Sequence, residues 1–191
     1  MITRIYFLSE AEAVQLEPTC NRVMVSVTVP YKIADIKEDG WAAPVLRLQF
    51  HDIDMFTRAF TLFNEEHAAK IINWLEEYIS VLSGNVMVLV HCHAGISRSA
   101  AIAKFIADWA ELKNFNHKYT LYNKHVYSML QKTYWERVTR KRMKTTILGE
   151  LSPFVPAADD SEEHKKKLER IQKDFLDARW KRLGGKEKRR K

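Results

Sequence analysis

The side chains best suited to chemistry lie in nine consecutive residues, His91-Cys92-His93-Ala94-Gly95-Ile96-Ser97-Arg98-Ser99. Cys92 is the candidate nucleophile, because a thiolate in a positive field attacks at neutral pH where a thiol does not. Arg98 follows six positions later. Its planar fork suits two non-bridging phosphate oxygens better than the point charge of a lysine. Ser99 brings a hydroxyl near the sulfur, able to stabilise it as a leaving group. The backbone amides of His93, Ala94, Gly95, Ile96, Ser97 and Arg98 can form an anion nest of phosphate size, and Gly95 permits the backbone conformation or close approach such a loop needs. A metal site built from His91, Cys92 and His93 is disfavoured, since ligand spacings normally leave two or more residues between. Only Cys20 and Cys92 are present, which excludes zinc fingers and disulfide scaffolds. Cys20 reads as a buried core residue. No metal or cofactor is expected, and a G-x-x-x-x-G-K nucleotide loop is absent.

Such a loop works only if a strand and a helix hold its ends. Val86 to Val90, five apolar and mostly β-branched residues, reads as a fully buried strand. Ser99 to Leu112 is Ala-rich, with Lys104, Asp108 and Glu111 on one narrow stripe, as expected of an interior helix. Unpartnered amides at its start, reinforced by the helix dipole, would face the loop. Upstream, Ile2–Leu8, Arg22–Val29 and Val45–Phe50 read as strands. Ser9 with Glu12 fits a capping box opening a short helix to about Leu16, ended by Pro18. Asn64 caps a second helix, whose apolar residues at 68, 71, 72, 75, 78, 79 and 82 form one face. A further helix is expected over Tyr122–Val138.

This alternation predicts an α/β domain: a central, mostly parallel sheet of four to five strands flanked by helices, with a basic C-terminal helix. Ligands of such sheets bind beyond the carboxyl ends of the strands, where the loops after Phe50 and His91 meet. The organisation expected is a catalytic domain over 1–150, a linker over 151–164 and a basic amphipathic tail over 165–191. The net charge of +7 belongs to the tail, which has 13 Lys/Arg against 4 Asp/Glu between 165 and 191, while the rest sums to −2. Leu168, Ile171, Phe175, Leu176 and Leu183 fall on one side of that helix. It could dock on its own domain, or bind nucleic acid, an acidic protein or an anionic membrane surface. No apolar run is long enough to cross a membrane and no signal peptide is apparent. With two cysteines, the expectation is a cytoplasmic protein in a reducing compartment. No feature of the sequence sets an oligomeric state.

His91 to Ser99 matches the H-C-x5-R-S/T signature of the cysteine-based protein tyrosine phosphatases, and G-x-S-R-S most resembles their small dual-specificity branch of bacterial and phage type. The likeness extends loosely over roughly residues 20 to 150 and not into the tail. It implies a phosphomonoesterase acting through a phosphocysteine on phosphorylated protein. It also implies an aspartate that protonates the leaving group from an upstream loop. Asp52 and Asp54 are the candidates, 40 and 38 residues before Cys92, and the strand-end pattern LRLQFHDI favours Asp52. The resemblance further gives His91 a part in holding the loop and lowering the thiol pKa. Asn123 is similar to the Asn of the family's P-N segment, with Tyr122 in place of the proline, and is expected to steady the loop through its side chain. The loop carries no lysine of the kind that holds the extra phosphates of inositol lipids. Phosphotyrosine protein is therefore the first substrate expectation. An RNA 5′-phosphatase of the same superfamily, using the basic tail on RNA, is the alternative. A non-catalytic phosphate-binding module is a third reading, although binding alone would not need the sulfur.

Overall fold

Four parallel strands, ordered β1-β4-β2-β3, form the one sheet of the described residues, so the architecture is α/β with helices flanking an all-parallel sheet. The computed structural model describes the backbone of residues 1–150 and the side chains of residues 1–141. The linker and the basic tail expected at 151–191 lie outside the described residues. The strands are β1 (Ile2–Ser9), β2 (Arg22–Thr28), β3 (Leu46–Gln49) and β4 (Val86–Cys92). β4 lies between β1 and β2, and it is apolar on both faces because other elements pack over each side of the sheet.

Helices follow the strands as α1 (Glu10–Ala13), α2 (Glu65–Trp74), α3 (Arg98–Trp109) and α4 (Lys124–Glu150). Val23, Val25, Val27, Val88, Val90 and Cys92 face a core shared with α2, α3 and the start of α4. Met24 and Leu89 face a smaller cluster with Ala13, Ala34 and Ile36. Contacts divide the chain into a compact unit, Met1–Glu136, and a second, Arg137–Lys191; every site residue discussed below belongs to the first. Among the described residues, no helix is long and apolar enough to cross a membrane.

The helix boundaries differ from the sequence expectation for local reasons. The Ser9–Glu12 capping box forms, but α1 stops at Ala13, short of Leu16. α3 ends at Trp109 because Glu111 adopts a left-handed conformation (φ 52°), closing the helix before Leu112. α4 begins at Lys124 because Asn123 caps it, its Oδ1 accepting from the Val126 amide at 3.0 Å. It then continues past Val138 through the basic run to Glu150. Asn64 caps α2 with His67 as reciprocal partner. The helix widens into one π turn, Leu75–Ile79, which keeps both of those residues buried. Trp74, outside the expected apolar face, is also buried and donates its indole N–H to the Pro44 carbonyl at 2.9 Å. Cys20 is exposed in the turn before β2 and is not the core residue expected.

Candidate active site

β4 carries Cys92 to the carboxyl edge of the sheet, where a residue is only 2% exposed yet lies directly beneath a solvent-facing loop. Burial pushes its thiol up, but the Ser99 hydroxyl and the amides of Ser99, Gly95 and Ile96 outweigh it and hold the group below the ordinary cysteine value. The Ser99 Oγ is 3.1 Å from the sulfur. Ser97 stands at the N-cap position of α3 without capping it. Its hydroxyl donates instead to Asp52 Oδ1 at 2.8 Å. The first amides of α3 are thus left for the loop centre, where the helix dipole favours negative charge.

The loop can fold this tightly because of Gly95. Its φ is +70°, and a Cβ there would lie 2.4 Å from the Ser9 nitrogen and 2.5 Å from the Leu8 carbonyl carbon. The end of β1 therefore packs directly on the loop backbone. His93, Ala94 and Ile96 are exposed along the rim, and Ser97 is half-buried.

Arg98 opens α3 and is 4% exposed. Its Nη1 donates to the Phe50 carbonyl at 2.8 Å, and the guanidinium lies 5.9 Å from the Phe50 ring centroid. Its Nε is buried with no hydrogen bond among the described residues, 4.0 Å from Asp52 Oδ2. A guanidinium tethered at one nitrogen and unsatisfied at another is prepared for anionic oxygens.

Asp52 lies where the strand-end pattern places it. Its loop is pinched at the base: the His51 amide donates to the Thr61 carbonyl at 2.8 Å, and the Thr61 amide donates to His51 Nδ1 at 2.9 Å. Asp52 Oδ1 accepts from Ser97 Oγ and, at 2.9 Å, from Asn123 Nδ2. Asp54 is exposed, and no hydrogen bond or ion pair joins it to the loop. The structure thus joins Asp52, and not Asp54, to the cysteine loop at Ser97 and Arg98.

Two supporting residues act differently from expectation. The Asn123 side chain does not bond the cysteine loop; it holds Asp52, the Ile53 carbonyl and the start of α4. It is the Asn123 backbone N–H that reaches the loop, at the Ser97 carbonyl, 3.2 Å away. His91 is fully buried on the opposite face from Cys92, with Nε2 2.8 Å from Ser26 Oγ. Burial outweighs the nearby Glu10 carboxylate and pushes its pKa down to about 4, so it is neutral near pH 7. It therefore cannot stabilise the thiolate as a cation. The lowering of the Cys92 thiol comes from the Ser99 hydroxyl and the amides of Ser99, Gly95 and Ile96.

Sequence reasoning missed several residues of the setting. Tyr119 donates its hydroxyl to the Ile96 carbonyl at 3.0 Å, and Glu10 donates its amide to the His93 carbonyl at 3.3 Å. Neither shows a spacing signal, because both bonds span chain segments far apart. Among the described residues no three His, Cys, Asp or Glu side chains converge as metal ligands.

No protein-family model matches this chain, and no curated protein matches it. Among solved structures, one described as the crystal structure of Tk-PTP in the active form aligns over 90% of each chain at 19% identity, with a TM-score of 0.34. At that distance, the chemistry of the site rests on its own geometry.

Gly95→Ala should cost on the order of 2 kcal/mol or more of stability in urea unfolding, because the strain at positive φ adds to a clash with backbone that cannot rotate away. His91 supplies a pH signature. Its folded pKa of about 4 lies below the ordinary histidine value of 6.5, so the unfolded chain binds the extra proton. The stability this neutral state provides is complete above pH 6.5 and declines through the window down to about 4. The decline from this group is about 3 kcal/mol. Urea titrations of wild type and His91→Asn across that window should differ by this slope; parallel curves would refute a neutral buried imidazole.

Proposed function

We propose that this chain is a phosphomonoester hydrolase of the protein tyrosine phosphatase type, working through a phosphocysteine. The observation that carries the reading is the Cys92 sulfur 3.1 Å from the Ser99 hydroxyl at the mouth of α3, with the buried, partly unsatisfied Arg98 opening the same helix; that hydroxyl and the Gly95, Ile96 and Ser99 amides hold the thiol low. A structural cysteine needs none of these donors, and each one stabilises the anion that attacks phosphorus.

In this reading, the substrate phosphate occupies the loop. Arg98 and the amides take its non-bridging oxygens, where charge is spread in a loose transition state. The sulfur–phosphorus bond forms as the ester P–O bond breaks, and Asp52 transfers its proton to the departing oxygen. Asp52 then draws a proton from water as that water attacks the phosphocysteine. The S–P bond breaks, inorganic phosphate leaves, and Ser99 takes up part of the charge returning to sulfur. The two hydrogen bonds on Oδ1 orient the carboxyl and leave Oδ2 for the proton.

For substrate, phosphotyrosine in protein is the first choice. Met55 and Phe56 follow Asp52 in its loop, Ile96 lies on the cysteine loop, and Leu121 lies two residues from Tyr119; all are exposed. Exposed apolar side chains on the segments that carry Asp52, Cys92 and Tyr119 favour an aryl group over a nucleic-acid backbone, which asks for cations. Dual specificity toward phosphoserine and phosphothreonine belongs to the same proposal.

The test is hydrolysis of an aryl phosphate in the presence of chelator. Wild type should turn over, Cys92→Ser should be inactive, and vanadate should inhibit. Asp52→Asn should lose about 10²-fold or more on poor leaving groups and little on good ones, while Asp54→Asn should match wild type on both. Loss confined to Asp54→Asn would reassign the acid. Phosphate binding without turnover by wild type would make the chain a binding module, and preference for 5′-phosphorylated RNA over phosphotyrosine peptides would replace the substrate assignment.

A further inference from the structure

We infer that Tyr119 is a positioning residue for phosphate: its hydroxyl, by gripping the Ile96 carbonyl, aims the Ser97 amide into the anion site. The inference deepens the phosphatase reading and rests on it.

A trans peptide is planar, so its C=O and N–H point in opposite directions. Whatever holds a loop carbonyl on one side turns the following N–H to the other. Three loop carbonyls are held from outside by groups of other segments: His93 by the Glu10 amide, Ile96 by the Tyr119 hydroxyl and Ser97 by the Asn123 amide. The N–H groups turned the opposite way are those of Ala94, Ser97 and Arg98. The sulfur is already served by different amides, those of Gly95, Ile96 and Ser99. The loop therefore has two sets of donors, one for the nucleophile and one left for the oxygens of its target.

Of the three clamps, only that of Tyr119 is made by a side chain, so it can be removed without altering the backbone. Its ring is fixed independently against Phe7, with centroids 5.0 Å apart, and Phe7 in turn meets Phe115 at 6.4 Å. Tyr119→Phe should keep that packing and lose only the hydroxyl. Burial and then the Cys92 charge both raise the pKa of the phenol, so it stays a protonated donor near neutral pH and lies within the field of the thiolate.

If the Ser97 N–H serves the phosphate while the Gly95, Ile96 and Ser99 groups serve the sulfur, the two sets separate experimentally. The full chain is compared as wild type, Tyr119→Phe and Ser99→Ala, measuring the vanadate inhibition constant and the pH dependence of iodoacetamide inactivation. Tyr119→Phe should weaken vanadate about five- to tenfold, as one hydrogen bond commands, and leave the alkylation midpoint unmoved. Ser99→Ala should raise that midpoint. Vanadate affinity unchanged in Tyr119→Phe overturns the inference. A shift of both vanadate and midpoint in Tyr119→Phe also overturns it, since the phenol would then be holding the loop's fold in general. If wild type neither turns over aryl phosphate nor binds vanadate, the phosphatase reading itself fails and this inference falls with it.

Discussion

The site depends on the direction in which the loop amides are held. Between His93 and Ser97, three carbonyls are bonded by groups from outside the loop, and Ser97, placed to cap α3, spends its hydroxyl on Asp52. Amides deprived of carbonyls and caps must find an acceptor or stay unsatisfied, which is costly in a partly buried place. Those of Gly95, Ile96 and Ser99 find the sulfur of Cys92. The thiol is depressed despite burial that alone would raise it, so the donors win that contest.

The same economy ties the aspartate loop to the cysteine loop. Arg98 reaches back to the first residue beyond β3 through the Phe50 carbonyl, and Asp52 reaches forward to Ser97 and Asn123. Asn123 also caps α4 and bonds the Ser97 carbonyl. One asparagine therefore joins three segments that are distant in sequence. Moving any of them would disturb Asp52 and the Cys92 loop together. The parallel sheet makes this economical, since all its strands deliver their carboxyl ends to one edge.

What was legible in the chain follows from range. The strand Val86–Val90, the Ser9–Glu12 capping box and the Asn64 cap depend on neighbours within a few residues, and each forms as read. The end of α3 at Trp109 was not readable, because nothing in Glu111 announces a positive φ. The burial of Cys20 was expected from residue type alone, yet its turn leaves it exposed. Within the site, Cys92, Ser99 and Arg98 were visible because one short segment holds them. Tyr119 and the His51–Thr61 clasp were invisible because each joins residues whose proximity only the tertiary fold creates. The resemblance expects the Asn123 side chain to steady the cysteine loop, whereas that side chain bonds Asp52 and the Ile53 carbonyl and its backbone N–H bonds the loop.

His91 illustrates how the position of a residue can exclude a role its type suggests. Adjacent residues in a strand face opposite sides, so a histidine preceding Cys92 cannot share its pocket. On its own side it meets Met24 and Leu89 territory, bonds Ser26 and is held neutral by burial. A charged imidazole there would have to be desolvated for a field that must then act through the strand. Backbone amides of the loop provide that field from the sulfur's own side of the strand, already oriented by the fold. The histidine's contribution is then to anchor β4 to β2 at the point where the strand gives way to the loop, so that the sulfur leaves the sheet at a fixed height beneath its amides.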